Sequence, residues 1–169
     1  FLPEGEIHER SEGTTPYEMA RSGKYPFQRI MLAADMASGL SPWATKPLIG
    51  YLKDKDSAIR YWGAMGLLMR GKQGVKAGGG ELEKALKDNS PYVRVVAAEA
   101  LGKYGSEKQI KMAVKTLGKT ADPLENGCFP SMLAMNAIDH LDDKAKSLLS
   151  KIQSMPRTPT GVDKRFQGY

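Results

Sequence analysis

Apolar positions recur at three- and four-residue spacing along most of this chain, the period of a helix that buries one face. Between Tyr25 and Ser38, the residues Phe27, Ile30, Met31, Ala34 and Ala37 form one such stripe, and Gly39 stops it. Helices are predicted next over Pro47–Leu52 and Ser57–Met69, joined by the turn Asp54-Lys55-Asp56 and ended by Gly71. A second pair covers Gly80–Lys87 and Pro91–Tyr104. Here Ser90 stands as the N-cap, Pro91 takes the first helical position and Gly105 is the stop. A third pair covers Glu107–Leu117 and Ser131–Leu141 with a swollen turn, Gly118–Gly127, between them, and a last helix runs from near Asp143 to Met155. Upstream, Thr15-Pro16-Tyr17-Glu18 combines a cap, a proline and a first-turn acid. That predicts a short helix through Arg21, ended by Gly23.

These pairs repeat one another. Leu52, Asp54, Asp56, Arg60, Ala64, Leu67 and Gly71 recur as Leu86, Asp88, Ser90, Arg94, Ala98, Leu101 and Gly105, at a constant offset of 34 residues. That is close to the period of two-helix solenoid repeats. A helical hairpin of this size cannot bury its apolar face alone and must stack on a neighbour. The expected fold is therefore all-α, a short α-solenoid of stacked helical hairpins. The third copy is degenerate: matching Asn136-Ala137-Ile138 to Glu99-Ala100-Leu101 stretches the offset to 37, which an inserted loop explains. Gly63 and Gly66 lower helix propensity by about 1 kcal/mol each relative to Ala, and Ala64, Ala97, Ala98 and Ala100 are also small. They offer close helix approach in return and are assigned to the core. Five glycines between Gly71 and Gly80 predict a flexible loop between repeats. The chain thus divides into a connector over 1–24, extended through residue 14 and carrying one short helix, a repeat domain over 25–155, and a Pro- and Gly-containing tail over 156–169.

At 169 residues and 41% hydrophobic, the chain suits one domain with a real core. No apolar run reaches the roughly 18 residues that span a bilayer, so no membrane is expected as a partner. The opening Phe1-Leu2-Pro3-Glu4-Gly5 predicts a fragment of a longer protein, which leaves targeting unread. Cys128 is the sole cysteine, excluding a disulfide framework and a cysteine-based zinc site. A net charge of +6 allows a polyanionic partner, but the Lys and Arg residues are scattered, which argues against a grip on nucleic acid.

Arg60 and Arg94 each follow their caps, Asp56 and Ser90, by four residues. In a stacked array they fall on one ridge near Asp54 and Asp88, so ion pairs bracing the turns between repeats are expected. Tyr61, Trp62, Tyr92 and Tyr104 are read as space-filling rather than as a platform for a sugar or a base. Lys108, Lys111, Lys115 and Lys119 share one helix face, either a solvated face or a contact for a sulfated or phosphorylated polymer. Glu4, Glu6, His8, Glu9 and Glu12 crowd the connector, but no spacing fixes them together, and a hydrated linker is expected. His140 is read as packed or complementing a helix dipole rather than as a ligand. No metal centre is proposed. With no Gly-rich phosphate loop, nucleophile elbow or zinc-type spacing, the segment reads as non-catalytic.

The copies that run from Leu52 to Ala64 and from Leu86 to Ala98 resemble HEAT repeats. The order Phe1-Leu-Pro-Glu-Gly-Glu-Ile-His8, Thr14-Thr-Pro-Tyr-Glu-Met-Ala20, then Tyr61-Trp-Gly-Ala-Met-Gly66 is similar to the C-terminal extension of certain bacterial sulfatases of the alkaline-phosphatase-like superfamily. The resemblance implies an upstream catalytic domain of the same chain with a formylglycine made in a C/S-x-P-x-R motif and a calcium ion, neither of them in this segment. It implies a parent that hydrolyses sulfate esters or sulfamates on carbohydrate, in the periplasm or outside the cell. This segment would brace the catalytic domain or its cleft, and Lys108, Lys111, Lys115, Lys119 and His8 would be the places where sulfated glycan makes contact. Cys128-Phe129-Pro130-Ser131-Met132 approaches the motif but has Met132 where Arg is required. It is read as coincidence, with Phe129 and Met132 packing under the swollen turn. The alternative is a stand-alone HEAT-type scaffold that holds another protein. An apolar outer surface at Phe27, Ile30 and Met31 would favour the extension, and a polar end helix the scaffold.

Overall fold

The computed structural model describes residues 4–11, 13–23 and 25–155, and all the regular structure among them is helical. The tail over 156–169, the opening Phe1-Leu2-Pro3, Glu12 and Lys24 lie outside the described residues. In chain order the helices are α1 (Glu4–Ser11), α2 (Pro16–Arg21), α3 (Phe27–Ser38), α4 (Thr45–Tyr51) after a 3-10 turn over Pro42–Ala44, α5 (Ser57–Met69), α6 (Gly71–Ala85), α7 (Pro91–Tyr104), α8 (Glu107–Thr120), α9 (Pro123–Asn126) and α10 (Cys128–Asp139). A 3-10 helix over Asp142–Leu148 then leads into α11 (Leu149–Gln153).

Two layers result. Helices α3, α5, α7 and α10 pack each against the next, and α4, α6, α8 and the last 3-10 helix lie against that row. The core between the layers holds Leu48, Leu67, Leu82, Val93, Val96, Leu101 and Leu117, all essentially free of solvent.

Small residues set the spacing, as the sequence implies. A Cβ at Gly63 would lie 2.9 Å from the Leu48 carbonyl oxygen, and one at Gly66 would lie 2.6 Å from Leu48 Cδ2. Ala97, Ala98 and Ala100 are wholly buried in α7.

The five-glycine stretch is not a loop. It forms most of α6, which begins directly after α5 where Gly71 reverses the chain at φ +58°. Gly74 sits against the Leu67 carbonyl oxygen, and a Cβ at Gly78 would lie 2.5 Å from Leu67 Cδ1. These glycines are contact points between α5 and α6, and burial of Val75 and Leu82 on the same helix overrides their weak propensity.

Residues 4–11 are likewise helical rather than extended. Arg10 Nη1 donates to Asp56 at 2.6 Å, Glu6 pairs with Arg10, and Ser57 Oγ donates to Glu6 at 2.7 Å, so α1 is fastened to the start of α5 by polar contacts that carry no apolar period. The swollen turn contains α9, and the last predicted helix is mainly 3-10.

Capping follows the sequence with one exception. Thr15 and Glu18 form a capping box on α2, Ser106 and Gln109 form another on α8, and Asp56 accepts from Ala58 N at 2.9 Å and Ile59 N at 3.3 Å. Ser90 takes the N-cap backbone conformation, but its hydroxyl is buried and makes no hydrogen bond among the described residues.

Arg70 closes the end layer. Its Nη1 donates to the carbonyls of Ala37 and Gly66, at 3.0 and 2.9 Å, and its Nη2 to those of Met36 and Ser41, at 3.0 and 3.1 Å. One guanidinium thereby ties the end of α3 to the end of α5, at the helix termini where carbonyls lack internal partners.

Two substitution pairs check this packing. Gly80→Ala, with open space at the Cβ position, is expected to stabilise by about 0.5–1 kcal/mol, whereas Gly74→Ala is expected to destabilise by about 1–3 kcal/mol, read by urea denaturation. Asp56→Ala should cost about 2 kcal/mol through its lost cap and the loss of one of the two carboxylates that Arg10 meets, while Ser90→Ala should change stability by less than about 0.5 kcal/mol.

Candidate functional site

At the hairpin turns, arginines and short polar side chains from successive pairs meet in register. Arg29 on α3 reaches Asp54 in the turn after α4, with Nη2 to Oδ2 at 2.6 Å. Arg60 on α5 reaches Asp88 in the turn after α6, with Nε to Oδ2 at 2.7 Å and Nη2 to Oδ1 at 2.8 Å. Arg94 on α7 reaches Asn126 at the end of α9, with Nη2 to Oδ1 at 3.0 Å. Arg60 and Arg94 also share a backbone grip. Arg60 Nη1 donates to the carbonyls of Asp54 and Lys55, at 2.9 and 3.0 Å, and Arg94 Nη1 to those of Asp88 and Asn89, at 2.9 and 3.1 Å.

The third rung differs from the first two in charge. Where Arg29 and Arg60 meet carboxylates, Arg94 meets an amide, and it forms no ion pair among the described residues. Its environment changes accordingly. Hydrogen bonding to Asp88 leads the effects that carry Arg60 above its ordinary pKa, while burial pushes Arg94 below its own. Asn126 is held in this orientation because its Nδ2 donates to the carbonyls of Lys119 and Asp122, both at 3.2 Å.

Beside this rung opens a cleft of about 840 Å³ between the second and third hairpins. Lys87, Arg94, Lys115 and Lys119 bring cations to its lining, and Glu83, Asp88 and Glu125 bring carboxylates. Asp88 is already taken by Arg60, and Glu83 accepts from Gln109 Nε2 at 2.8 Å. A smaller cleft of about 410 Å³ is lined by Arg10, Tyr25, Arg29, Lys55 and Asp56. Its two arginines are matched by Asp56 and Asp54, and Arg10 also lies 5.7 Å from the centre of the Tyr25 ring.

The lysine stripe of α8 is exposed throughout, but the cleft divides it: Lys115 and Lys119 line the cleft, and Lys108 and Lys111 do not. His8 is exposed on α1, the helix fastened to the start of α5, so it joins neither the cleft nor the stripe. Glu6 is engaged by Arg10 and Ser57 rather than hydrated alone, and Glu12 lies outside the described residues. His140 Nδ1 lies 2.8 Å from Glu99 Oε1 at the end of α10. Trp62 is half-buried and meets Tyr61 edge-on with ring centres 5.5 Å apart, while Tyr61 and Tyr92 are buried and Tyr104 is 39% exposed.

Cys128 to Met132 form the first turn of α10, not a loop. Cys128 is buried with its sulfur 3.7 Å from Met132 Sδ, and Phe129 is 43% exposed instead of packing beneath the turn, because Gly127 at φ +78° starts the helix immediately before it. Among the described residues no group of three or more His, Cys, Asp or Glu could hold a metal, and no helix is long and apolar enough to cross a membrane.

Sequence reasoning missed Arg29, Asn126 and Arg70. At the constant offset of 34 the third pair has Asp122, which like Asp54 and Asp88 accepts from the backbone N–H two residues on, but Arg94 meets Asn126, four residues further, in the inserted segment. Comparison with protein-family models and with curated proteins finds no match to this chain.

The middle rung should dominate the stability of the turns. Arg60→Met is expected to cost about 2–3 kcal/mol, because it strips a bidentate partner from the largely buried Asp88, and Arg29→Met, whose guanidinium is half exposed, should cost less than about 1 kcal/mol by thermal or urea unfolding.

Proposed function

We propose that this chain is a short α-solenoid of HEAT-like hairpins serving as the non-catalytic C-terminal part of a sulfatase that acts on sulfated carbohydrate. In this reading it braces the catalytic domain or its substrate cleft, in the periplasm or outside the cell. The observation that carries the reading is the outer face of α3. Phe27, Met31 and Leu32 are each about half exposed, Ile30 is partly buried, and Leu40 and Trp43 after the helix are exposed as well. An end helix of a free-standing array favours a polar outer face. Exposed large apolar side chains on an end helix fit a helix that packs against more protein, and the preceding catalytic domain is the occupant that the resemblance supplies. The chain itself contributes no catalytic group to that chemistry. Cys128 is buried and lacks the arginine of the formylglycine motif, so the reacting residue and the calcium ligands belong to the upstream domain.

Reading the coding sequence upstream of Phe1 tests the proposal directly. A C/S-x-P-x-R motif followed by calcium-binding acids is the expected result, and an upstream frame without them overturns it. In the isolated chain the α3 face should bind an apolar dye or self-associate. Met31→Lys with Leu32→Lys should abolish both while leaving the circular dichroism spectrum unchanged.

A further inference from the structure

We propose that the cleft beside Arg94 is a binding site for a sugar carrying a single oxoanion ester, with the anion seated against Arg94, Lys115 and Lys119. Arg60 spends its Nε and Nη2 on the two oxygens of Asp88. In the equivalent place Arg94 spends Nη2 on an uncharged amide, and its Nε makes no hydrogen bond among the described residues. The side chain is anchored by two backbone carbonyls and by Asn126, so its remaining Nε–H is held rather than mobile. A guanidinium N–H that is positioned in this way and lacks a carboxylate is matched by an oxygen of a tetrahedral anion.

The surroundings define the rest of the ligand. Lys115 and Lys119, one helical turn apart on α8, and Lys87 from the preceding turn line the same cleft. At about 840 Å³ the space exceeds what a bare ion fills and suits one or two sugar rings. Thr116 and Asn89 offer polar groups to hydroxyls, and Glu125 and Glu83 add acceptors that would repel a second anionic group placed close to the first. A densely sulfated polymer is therefore a poorer fit than a sparsely charged saccharide. The oxoanion site rests on this geometry alone, and only the expectation of sulfate over phosphate rests on the sulfatase reading above.

Calorimetric titration of the chain with glucose 6-sulfate, glucose 6-phosphate, glucuronate and inorganic sulfate at low salt tests the site. The ester sugars are expected to bind, and Lys115→Gln with Lys119→Gln is expected to weaken them about tenfold or more. Lys108→Gln with Lys111→Gln, on the same helix outside the cleft, should leave affinity unchanged. Asn126→Asp supplies Arg94 with a carboxylate from within the chain and should also weaken binding about tenfold or more, with folding checked by circular dichroism. Equal losses from the two lysine pairs would show a diffuse basic face and overturn the site. So would binding by Asn126→Asp at the original affinity, binding of inorganic sulfate alone as an adventitious ion only, or no binding of either ester up to about 10 mM. Phosphate and sulfate esters binding alike would support the oxoanion site, and the upstream coding sequence would still decide the parentage independently.

Discussion

Helix α5 lies at the centre of the molecule because small residues let its neighbours come within reach of its backbone. Leu48 from α4 lies over Gly63 and Gly66, and Leu67 on α5 lies against Gly74 and Gly78 of α6. Each contact pairs a leucine with a glycine, so the two layers interlock at the level of the backbone rather than through meshed large side chains. Everything outside depends on that spacing. At the turns, arginine rungs span the gap between successive pairs with hydrogen bonds of 2.7 to 3.0 Å.

With the spacing fixed, the polar side chains at the turns become interchangeable parts of one device. An arginine in the first turn of one helix grips the carbonyls of its own turn and reaches a short polar side chain in the next. With an amide at Asn126 the backbone grip is kept, while the second side-chain hydrogen bond and the charge are lost. The last rung thus keeps its structural task while its electrostatic balance differs, beside the cleft that Arg94 and Asn126 line.

Much of the helical framework was legible in the sequence because it rests on local rules: caps at Thr15 and Asp56, prolines at first helical positions, glycine stops at Gly71 and Gly105. The misreadings share one cause. Gly71 to Gly80 has a linker's composition, and its helical state is decided by Leu67 and Val75, contacts distant from any local rule. Residues 4–11 lack an apolar stripe because α1 is held through Glu6, Arg10, Asp56 and Ser57, and ion pairs across more than forty residues leave no periodic trace. At the cleft, the lysine stripe was visible, but its division between Lys111 and Lys115 was not, since it depends on where α9 places Asn126.

The Arg70 clamp has a consequence for how the end of this array can change. All four of its acceptors are main-chain carbonyls, which every amino acid presents alike. The residues at Met36, Ala37 and Ser41 are therefore not bound to their identities by this joint, and neither is the outer face of α3. Substitutions can accumulate across that face, altering what it fits, while the helix stays moored by a side chain that belongs to its neighbour.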